Sequence, residues 1–346
     1  MQKEGLYETS ITMQNRQNQE ATARGPMGPV VSRSFTECDE FSELLRHEGA
    51  QIIQTRPGRY YNRITLAPLQ STVLRYGVRS MPWIASATGL AQHVSLLLDL
   101  KAVGPVLNNG VSKDVTRSLA LYGSGAEHHS AVTAAGEYAY VPFPLKLLEG
   151  AARAAQMSGI PVRDGACALL TPGSAHYAHL CETVRGIYRL AESTPVAFQD
   201  EGTRIHAERS LTTALVLALA SCEPPDHPLN LADKGRVFRK ARDFLHDREH
   251  APIYMLDLCE ATGASERTVR TVFIEHLGMP PMRYLKLRRL NQVRARLRQS
   301  SAGTTSVKAV AFNAGFWDLG RFAGEYRALH GETPSRTLAW PESRNP

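Results

Sequence analysis

The sequence has few of the features that mark a secreted or membrane-spanning chain. Its longest largely apolar stretch, Ala214 to Cys222, is nine residues with Ser221 included, whereas roughly 20 are needed to cross a bilayer. The first residues are polar and lack the apolar segment of a secretion signal. The five cysteines are scattered and form no C-x-x-C pair, which favours a reducing compartment. We therefore expect a cytoplasmic protein with no membrane partner.

The sequence also has none of the motifs of the common enzyme classes. It contains no G-x-S-x-G, P-loop, G-x-G-x-x-G or H-E-x-x-H pattern. We therefore predict no catalytic residues, no cofactor and no enzymatic activity.

Positive charge is concentrated at one end of the chain. From Lys234 onward there are 20 Lys and Arg against 11 Asp and Glu, while the preceding residues carry 20 against 22. A basic C-terminal third on a nearly neutral body indicates a polyanionic partner for that third alone.

The residues before this basic region divide into four segments. Residues 1–33 are rich in Gln, Asn, Thr and Gly without a helical or strand period, so we expect a disordered tail. In 34–145, short β-branched and aromatic stretches alternate with turn residues, which predicts an antiparallel sandwich or small barrel. Helical periods in 146–222 predict a helical connector, and the prolines of 223–234 predict a semi-rigid linker.

The last helix of the connector is apolar on almost every side. Leu211, Leu215 and Ala218 trace one face, and Leu217 and Leu219 widen it. Such a helix is buried on more than one side. The second side is covered either by a partner subunit, giving a homodimer, or by the protein's own chain.

Two helix-turn-helix units are predicted at 253–277 and 306–330. In each, a polar residue, Ser265 or Asp318, stands where it can cap the second helix. A basic helix at 281–299 joins them and should be about 28 Å long. Two recognition helices at its ends would fall near one DNA turn apart, about 34 Å.

Residues 235–338 resemble the DNA-binding domain of the AraC/XylS family of bacterial transcription regulators. The resemblance rests on "SERTVRTVF", "AGF" at 314–316 and "TPS" at 333–335, with matching single positions at Tyr284, Arg289, Leu290, Phe322, Tyr326 and Gly331. It implies seven helices, insertion of both recognition helices into the major groove of double-stranded DNA and, in many members, recruitment of RNA polymerase.

The resemblance also implies which residues contact DNA. They are Ser265, Arg267, Arg270 and Thr271 in the first unit, and Leu319, Gly320, Arg321 and Gly324 in the second. The sequence departs from the family at Gly324, where relatives can carry a base-contacting arginine. Each glycine should cost about 1 kcal/mol relative to Ala inside a helix.

Two explanations of the glycines remain open. They either let the helix backbone approach DNA closely, leaving Arg321 to bind guanine, or make room for a neighbouring side chain. If the glycines allow a close approach, the first helix-turn-helix unit discriminates the DNA sequence and the second clamps the DNA backbone.

The β-rich segment resembles the cupin-like sensor domains of this family, and a barrel of this size can enclose one small ligand. Its aromatic residues either line such a site or fill a core, and the core is favoured; they are Tyr60, Tyr61, Trp83, Tyr138, Tyr140 and Phe143. His128 and His129 lack the H-x-H spacing of a metal-binding cupin. Adjacent strand residues face opposite ways, so we expect a surface or turn pair and no metal site.

The sequence thus predicts an α+β multidomain protein: a β-rich cupin-like sensor, a helical connector and an all-α domain with two helix-turn-helix units. Its predicted function is sequence-specific transcription regulation, as an activator or a repressor, in response to a small-molecule effector. Two alternatives are a cupin-type metalloenzyme with a DNA-binding appendage and an architectural DNA binder without effector. The first requires stoichiometric metal, and the second requires binding with little sequence preference.

Overall fold

The computed structural model describes residues 28–45, 50–102, 106–113, 118–222, 232–248, 252–300 and 305–339. Within them, two antiparallel sheets form the N-terminal half and helices form the rest. The order from one side of the molecule to the other is helices, sheet A, sheet B and a second helical domain.

Sheet A has seven strands, which are, from one edge to the other, β1 (Val31–Phe35), β3 (Asn62–Pro68), β4 (Val73–Arg79), β11 (Gly136–Pro144), β6 (His93–Ala102), β9 (Leu119–Tyr122) and β12 (Cys167–Leu170). Sheet B has five strands, which are, from one edge to the other, β2 (Gln51–Gln54), β5 (Trp83–Thr88), β10 (Glu127–Val132), β7 (Val106–Asn108) and β8 (Val111–Lys113).

The helices before the basic region are α1 (Cys38–Leu44), α2 (Leu145–Ala154), α3 (Ser174–Ser193) and α4 (Glu201–Ala220). The C-terminal domain, which carries the basic region, contains α5 (Ala232–Asp247), α6 (Met255–Thr262), α7 (Glu266–Leu277), α8 (Pro281–Gln299), α9 (Val307–Asn313), α10 (Leu319–His330) and α11 (Pro334–Leu338). The C-terminal domain therefore shows, in the described residues, the seven helices that the family resemblance implies.

Alternating side chains give each sheet two packed faces. In sheet A, Leu96, Leu98 and Val141 point outward onto α2, α3 and α4, while Tyr138 points inward toward sheet B. In sheet B, Ile52 and Ala85 point inward, while Ile53 and Ile84 point outward and pack on the C-terminal helices. Each sheet is thus a wall between two cores.

Three predicted boundaries differ from the structure. β1 begins at Val31, inside the predicted tail, because its residues pair antiparallel with β3. β12 lies inside the predicted helical connector, because Cys167–Leu170 pairs with β9 at the edge of sheet A. α5 begins at Ala232, before the predicted end of the linker. Most of the predicted disordered tail (1–27) and most of the predicted linker (223–231) lie outside the described residues.

The apolar helix α4 is covered on both sides by its own chain. Leu211, Leu215 and Leu219 are at most 4% exposed within a core that also includes α3 and sheet A. Leu217, 41% exposed, faces away. The protein's own chain therefore accounts for the apolar pattern except at Leu217.

None of the described helices is long and apolar enough to span a membrane.

Candidate DNA-binding surface

The first helix-turn-helix unit consists of α6, a tight turn and α7. The turn contains Gly263, whose φ of 68° lies in the left-handed region, where a side chain would add strain. After the turn, the Ser265 hydroxyl accepts a hydrogen bond from the Thr268 N–H at 3.3 Å. The predicted cap is therefore confirmed, and α7 starts at a defined residue.

Helix α7 has one buried and one exposed face. Val269, Phe273 and Leu277 are at most 4% exposed and pack against α5, α6 and α8. Arg267, Arg270 and Thr271 are exposed. The core thus fixes the helix, while the predicted base-contacting residues remain accessible.

Arg270 is held by its own helix. Its guanidinium donates to Glu266 Oε1 at 2.9 Å, one turn earlier, and both side chains are more than half exposed. Exposed pairs at this spacing contribute about 0.3–0.5 kcal/mol, which is less than the 1–3 kcal/mol of a bidentate base contact. DNA can therefore displace Glu266 from Arg270.

The second unit, α9 and α10, repeats the plan. Gly315 in its turn has a φ of 79°, and a Cβ there would lie 2.9 Å from the Pro252 Cβ, so the position requires glycine. Asp318 caps α10 by accepting from the Arg321 N–H at 3.0 Å, as predicted.

Helix α10 also presents one face to the core and one to solvent. Phe322, Tyr326 and Leu329 are at most 5% exposed. Of the predicted contact residues, Leu319 is half-buried, whereas Gly320, Arg321 and Gly324 are exposed.

Arg321 is tied to a glutamate one turn later. Its Nε donates to Glu325 Oε1 at 3.1 Å, and Lys286 of α8 donates to the same oxygen at 3.2 Å. Although burial raises it, the pKa of Glu325 is lowered on balance by these two cations. Arg270 and Arg321 therefore each form an ion pair with a glutamate of their own helix.

The two outward glycines do not make room for a neighbouring side chain. A Cβ at Gly324 would meet nothing within 4 Å, and one at Gly320 would meet only the Asp318 Oδ1 at 3.5 Å. That alternative is therefore wrong for the described residues. What the glycines change is the bulk of the exposed face.

One exposed residue beside this face was missed by the sequence analysis. Trp317 immediately precedes the Asp318 cap and is 75% exposed, with its ring 5.5 Å from that of Phe312. Its position between the turn glycine and the helix cap was the available signal.

The cations of α8 serve three different purposes. Arg288 is 4% exposed and donates to the Leu245 carbonyl at 2.6 Å, which closes the end of α5. Arg294 and Arg298 pair with Glu37 and so bind the N-terminal domain. Arg283 is exposed and remains available for a phosphate.

Both units also rest on the outer face of sheet B. At the second, the Gly58 N–H and the Gln54 amide donate to the Leu329 carbonyl at 3.1 and 3.0 Å. At the first, the Phe238 ring of α5 stacks on His276 of α7 at 4.3 Å and meets His129 of β10 at 5.0 Å.

The sequence analysis predicted that His128 and His129 are a surface or turn pair, and this prediction is wrong. Both residues lie on β10, and they point to opposite faces as strand geometry requires. His128 contacts the Tyr122 ring at 4.4 Å, while His129 is 3% exposed and packs on Phe238. Burial, reinforced by Arg242 and the imidazoles of His128 and His276, holds the pKa of His129 well below its usual value. A search of the described residues found no His, Cys, Asp and Glu group arranged to hold a metal ion.

Two capped, exposed recognition helices joined by one long helix define a double helix-turn-helix DNA-binding regulator. A family model described as a helix-turn-helix domain matches residues 258–339. The chain is 34% identical over 139 residues to the XylDLEGF operon transcriptional activator 2 of Pseudomonas putida, covering 39% of this chain and 83% of the relative. With activator 3 of the same organism it shares 38% identity over 101 residues, 29% of this chain and 30% of that one.

Solved structures of similar proteins include a probable AraC family transcriptional regulator from Rhodopseudomonas palustris. It is 34% identical, with a TM-score of 0.28, and the match covers 30% of this chain and 98% of that one. The AraC-like transcriptional activator CuxR is 12% identical, with a TM-score of 0.40, over 82% of this chain and 100% of that one. This chain belongs to the AraC/XylS family, whose members are transcription regulators.

Proposed function

We propose that this regulator recognises its DNA site mainly through Arg267, Arg270 and Thr271 of α7 and grips the DNA backbone through α10. The observation that carries the proposal is the pair of capped recognition helices whose predicted contact faces are open to solvent. In α7 that face offers two guanidinium groups and a hydroxyl, which can read base edges. In α10 it offers one guanidinium between two glycines.

The glycines support a close approach of α10 to DNA. With no Cβ at Gly320 or Gly324, backbone is exposed beside Arg321, and it can lie nearer to sugar and phosphate than a helix with side chains at those two positions. Phosphate contacts position a protein without selecting a sequence.

The experiment is selection of bound duplexes from a random-sequence pool by the full-length protein, followed by methylation interference on the enriched site. We expect one enriched motif, with interference at guanines in two major-groove segments about 10 bp apart. Enrichment without a motif would contradict the proposal and favour the architectural alternative. Interference in only one segment would contradict insertion of α10 into the major groove.

We further propose that a small molecule bound in the N-terminal domain changes how the two units are presented. Sheet B supports this because it is a single layer between the interior of the sandwich and the DNA-binding domain. Ile52, Ala85 and Ser130 face the interior of the sandwich, and the adjacent Ile53, Ile84 and Ala131 pack on the DNA-binding domain. Displacing an inward side chain therefore moves the strand on which α5, α7 and α8 rest.

The same proposal includes homodimerisation and contact with RNA polymerase, which the family resemblance supports. Sedimentation of the purified chain with and without its selected duplex tests the first, and transcription from a promoter carrying the selected site tests the second. A monomer in both sedimentation runs would contradict the dimer.

A further inference from the structure

A loop of the N-terminal domain lies against the second helix-turn-helix unit. It joins β2 to β3, spans residues 55–61 and has the sequence TRPGRYY. The Gly58 N–H donates to the carbonyl oxygen of Leu329, in the last turn of α10, at 3.1 Å. The loop is therefore attached to the second recognition helix itself, although it belongs to the other domain.

One buried amide fixes the shape of this loop. The Gln54 side chain is buried, and its amide nitrogen lies at most 3.0 Å from the carbonyl oxygens of Arg56, Gly58 and Leu329. The backbone carbonyl of Gln54 also accepts from the Asn291 side chain of α8 at 3.4 Å. Hydrogen bonds thus hold the loop on both α8 and α10.

The loop forms part of the wall of a groove on the DNA-binding domain. The groove has a volume of about 790 Å³ and lies between α8 and α10. Thr55 and Pro57 of the loop line it together with Trp317 and Arg321, which lie at the proposed contact face of α10. The proposed DNA-binding surface therefore continues from the recognition helix to the N-terminal domain.

The groove carries an excess of positive charge. Its described lining has four cations and two carboxylates, which are Arg283, Lys286, Arg289 and Arg321 against Asp318 and Glu325. Both carboxylates are engaged within the domain, because Asp318 caps α10 and Glu325 accepts from Lys286 and Arg321. A surface of this charge, continuous with a recognition helix, is suited to the phosphates of DNA.

The loop adds two cations at the edge of this groove. Arg56 lies between the lining residues Thr55 and Pro57, and Arg59 follows Gly58. Both arginines are exposed, and neither forms an ion pair with another described residue. Their long side chains on a fixed backbone can reach a phosphate beside α10. The N-terminal residues are nearly neutral as a whole, so their net charge does not reveal this local pair.

We propose that Arg56 and Arg59 contact DNA phosphates beside the segment that α10 enters, so that the N-terminal domain supplies part of the DNA-binding surface. The inference rests on the proposed grip of α10 on the DNA backbone and extends that grip to a second domain. These contacts reach DNA only while the loop is docked on α10. A change in the N-terminal domain that moves the loop therefore alters DNA affinity without changing either recognition helix.

The test compares the salt dependence of DNA binding in the full-length wild type and in the double variant Arg56→Gln with Arg59→Gln. The probe is the duplex enriched by selection, extended by about one helical turn on each side. The slope of log Kd against log salt concentration should be smaller by about 2 in the variant, since each phosphate contact contributes about 0.9. The loss of affinity should be similar for all duplex sequences, because phosphate contacts do not select a sequence. A slope that changes by less than about 0.5 would overturn the proposal.

A control of equal charge assigns the effect to the loop. Arg153→Gln with Arg209→Gln removes two exposed cations from α2 and α4, which cover the other side of the sandwich. This control should keep the wild-type slope. An equally reduced slope in the control would show that only the net charge of the chain matters, and it too would overturn the proposal.

Ethylation interference locates the phosphates that the loop contacts. In the wild type we expect interference at phosphates flanking the α10 segment, and this flanking interference should disappear in Arg56→Gln with Arg59→Gln. Interference that persists there in the variant would assign those phosphates to other residues and contradict the loop contact.

Failure of this experiment is distinguishable from failure of the proposed DNA recognition. If selection yields a motif with interference in two segments while the loop variant binds like the wild type, only the loop contact is rejected. If selection yields no motif, the proposed recognition fails. The slope measured on any duplex of the same length then still tests the loop contact, because phosphates are present in every sequence.

Discussion

The two helix-turn-helix units have the same construction but present different surfaces. Each has a left-handed glycine in its turn, Gly263 or Gly315, and a polar cap, Ser265 or Asp318. Each recognition helix has a buried histidine in its last turn, His276 or His330. On the outward face, however, α7 carries Arg267, Arg270 and Thr271, whereas α10 carries Arg321 between two glycines. Construction is therefore set by the core, and on the proposed function the specificity is set by a few exposed positions outside the core.

The largest expected effects are losses of stability, and they test whether the two helix-turn-helix units are equally well packed. Phe273 and Phe322 are 0% and 1% exposed, so Phe273→Ala and Phe322→Ala should each lower the free energy of unfolding by about 3–5 kcal/mol. Urea denaturation measures both. Ile274→Ala, at an exposed position of α7, should change it by less than about 0.5 kcal/mol. A loss under 1 kcal/mol at only one phenylalanine would show that the units are not equally packed.

The buried histidine that ends α10 predicts an acid-sensitive second unit. Burial, with Arg294 adding, lowers the pKa of His330 to about 3, against about 6.5 in an unfolded chain. Between these values the folded state binds fewer protons than the unfolded state, so stability falls as the pH drops below 6.5. At pH 5 the loss is about 2 kcal/mol.

His330→Phe should remove this part of the acid sensitivity. The difference between the free energies of unfolding at pH 7 and pH 5 should shrink by about 2 kcal/mol, as measured by urea denaturation. His206→Phe, at an exposed position of α4, should leave the difference unchanged. An equal pH dependence in wild type and His330→Phe would contradict a neutral buried imidazole.

The difference between the outward faces is tested by their arginines. Arg270→Ala should relax preference at one base pair and cost about 1–3 kcal/mol at the preferred base, whereas Arg321→Ala should weaken binding similarly across sequences. Competition between duplexes with single base changes separates the two patterns. Arg209→Ala, on the N-terminal side, should have neither effect. If Arg321→Ala relaxed one base and Arg270→Ala did not, the proposed division of labour would be reversed.

Local features of the DNA-binding domain could be predicted because short-range chemistry sets them. The bounds of α8 agree with the predicted 281–299, since Pro281 starts the helix and the apolar period fixes its length. The caps at Ser265 and Asp318 depend on neighbours three residues away. The proposed DNA-contacting residues follow from these same helices.

Long-range pairing could not be predicted in this way. Arg294 of α8 and Glu37 are 257 residues apart and bind each other, so the sequence could not show that this cation serves the N-terminal domain. Strand β12 is four residues long and is stabilised by its pairing with β9. His129 reads as polar, but its burial depends on Phe238 from another domain. In each case the contact that decides the structure joins residues far apart in the sequence, so local patterns do not reveal it.

The smallest expected effects concern the glycines themselves. Gly324→Ala should stabilise the protein by up to about 1 kcal/mol, because alanine favours a helix and the new Cβ would meet nothing within 4 Å. The same methyl group should weaken DNA binding if α10 lies close to the backbone. Gly186→Ala in α3 provides a matched control, since a Cβ there would also meet nothing within 4 Å, and it should stabilise without changing DNA affinity. Thermal denaturation and binding to the selected duplex measure the two effects separately. Unchanged affinity in Gly324→Ala would show that α10 does not approach DNA at this position, and the glycine would then have no part in recognition.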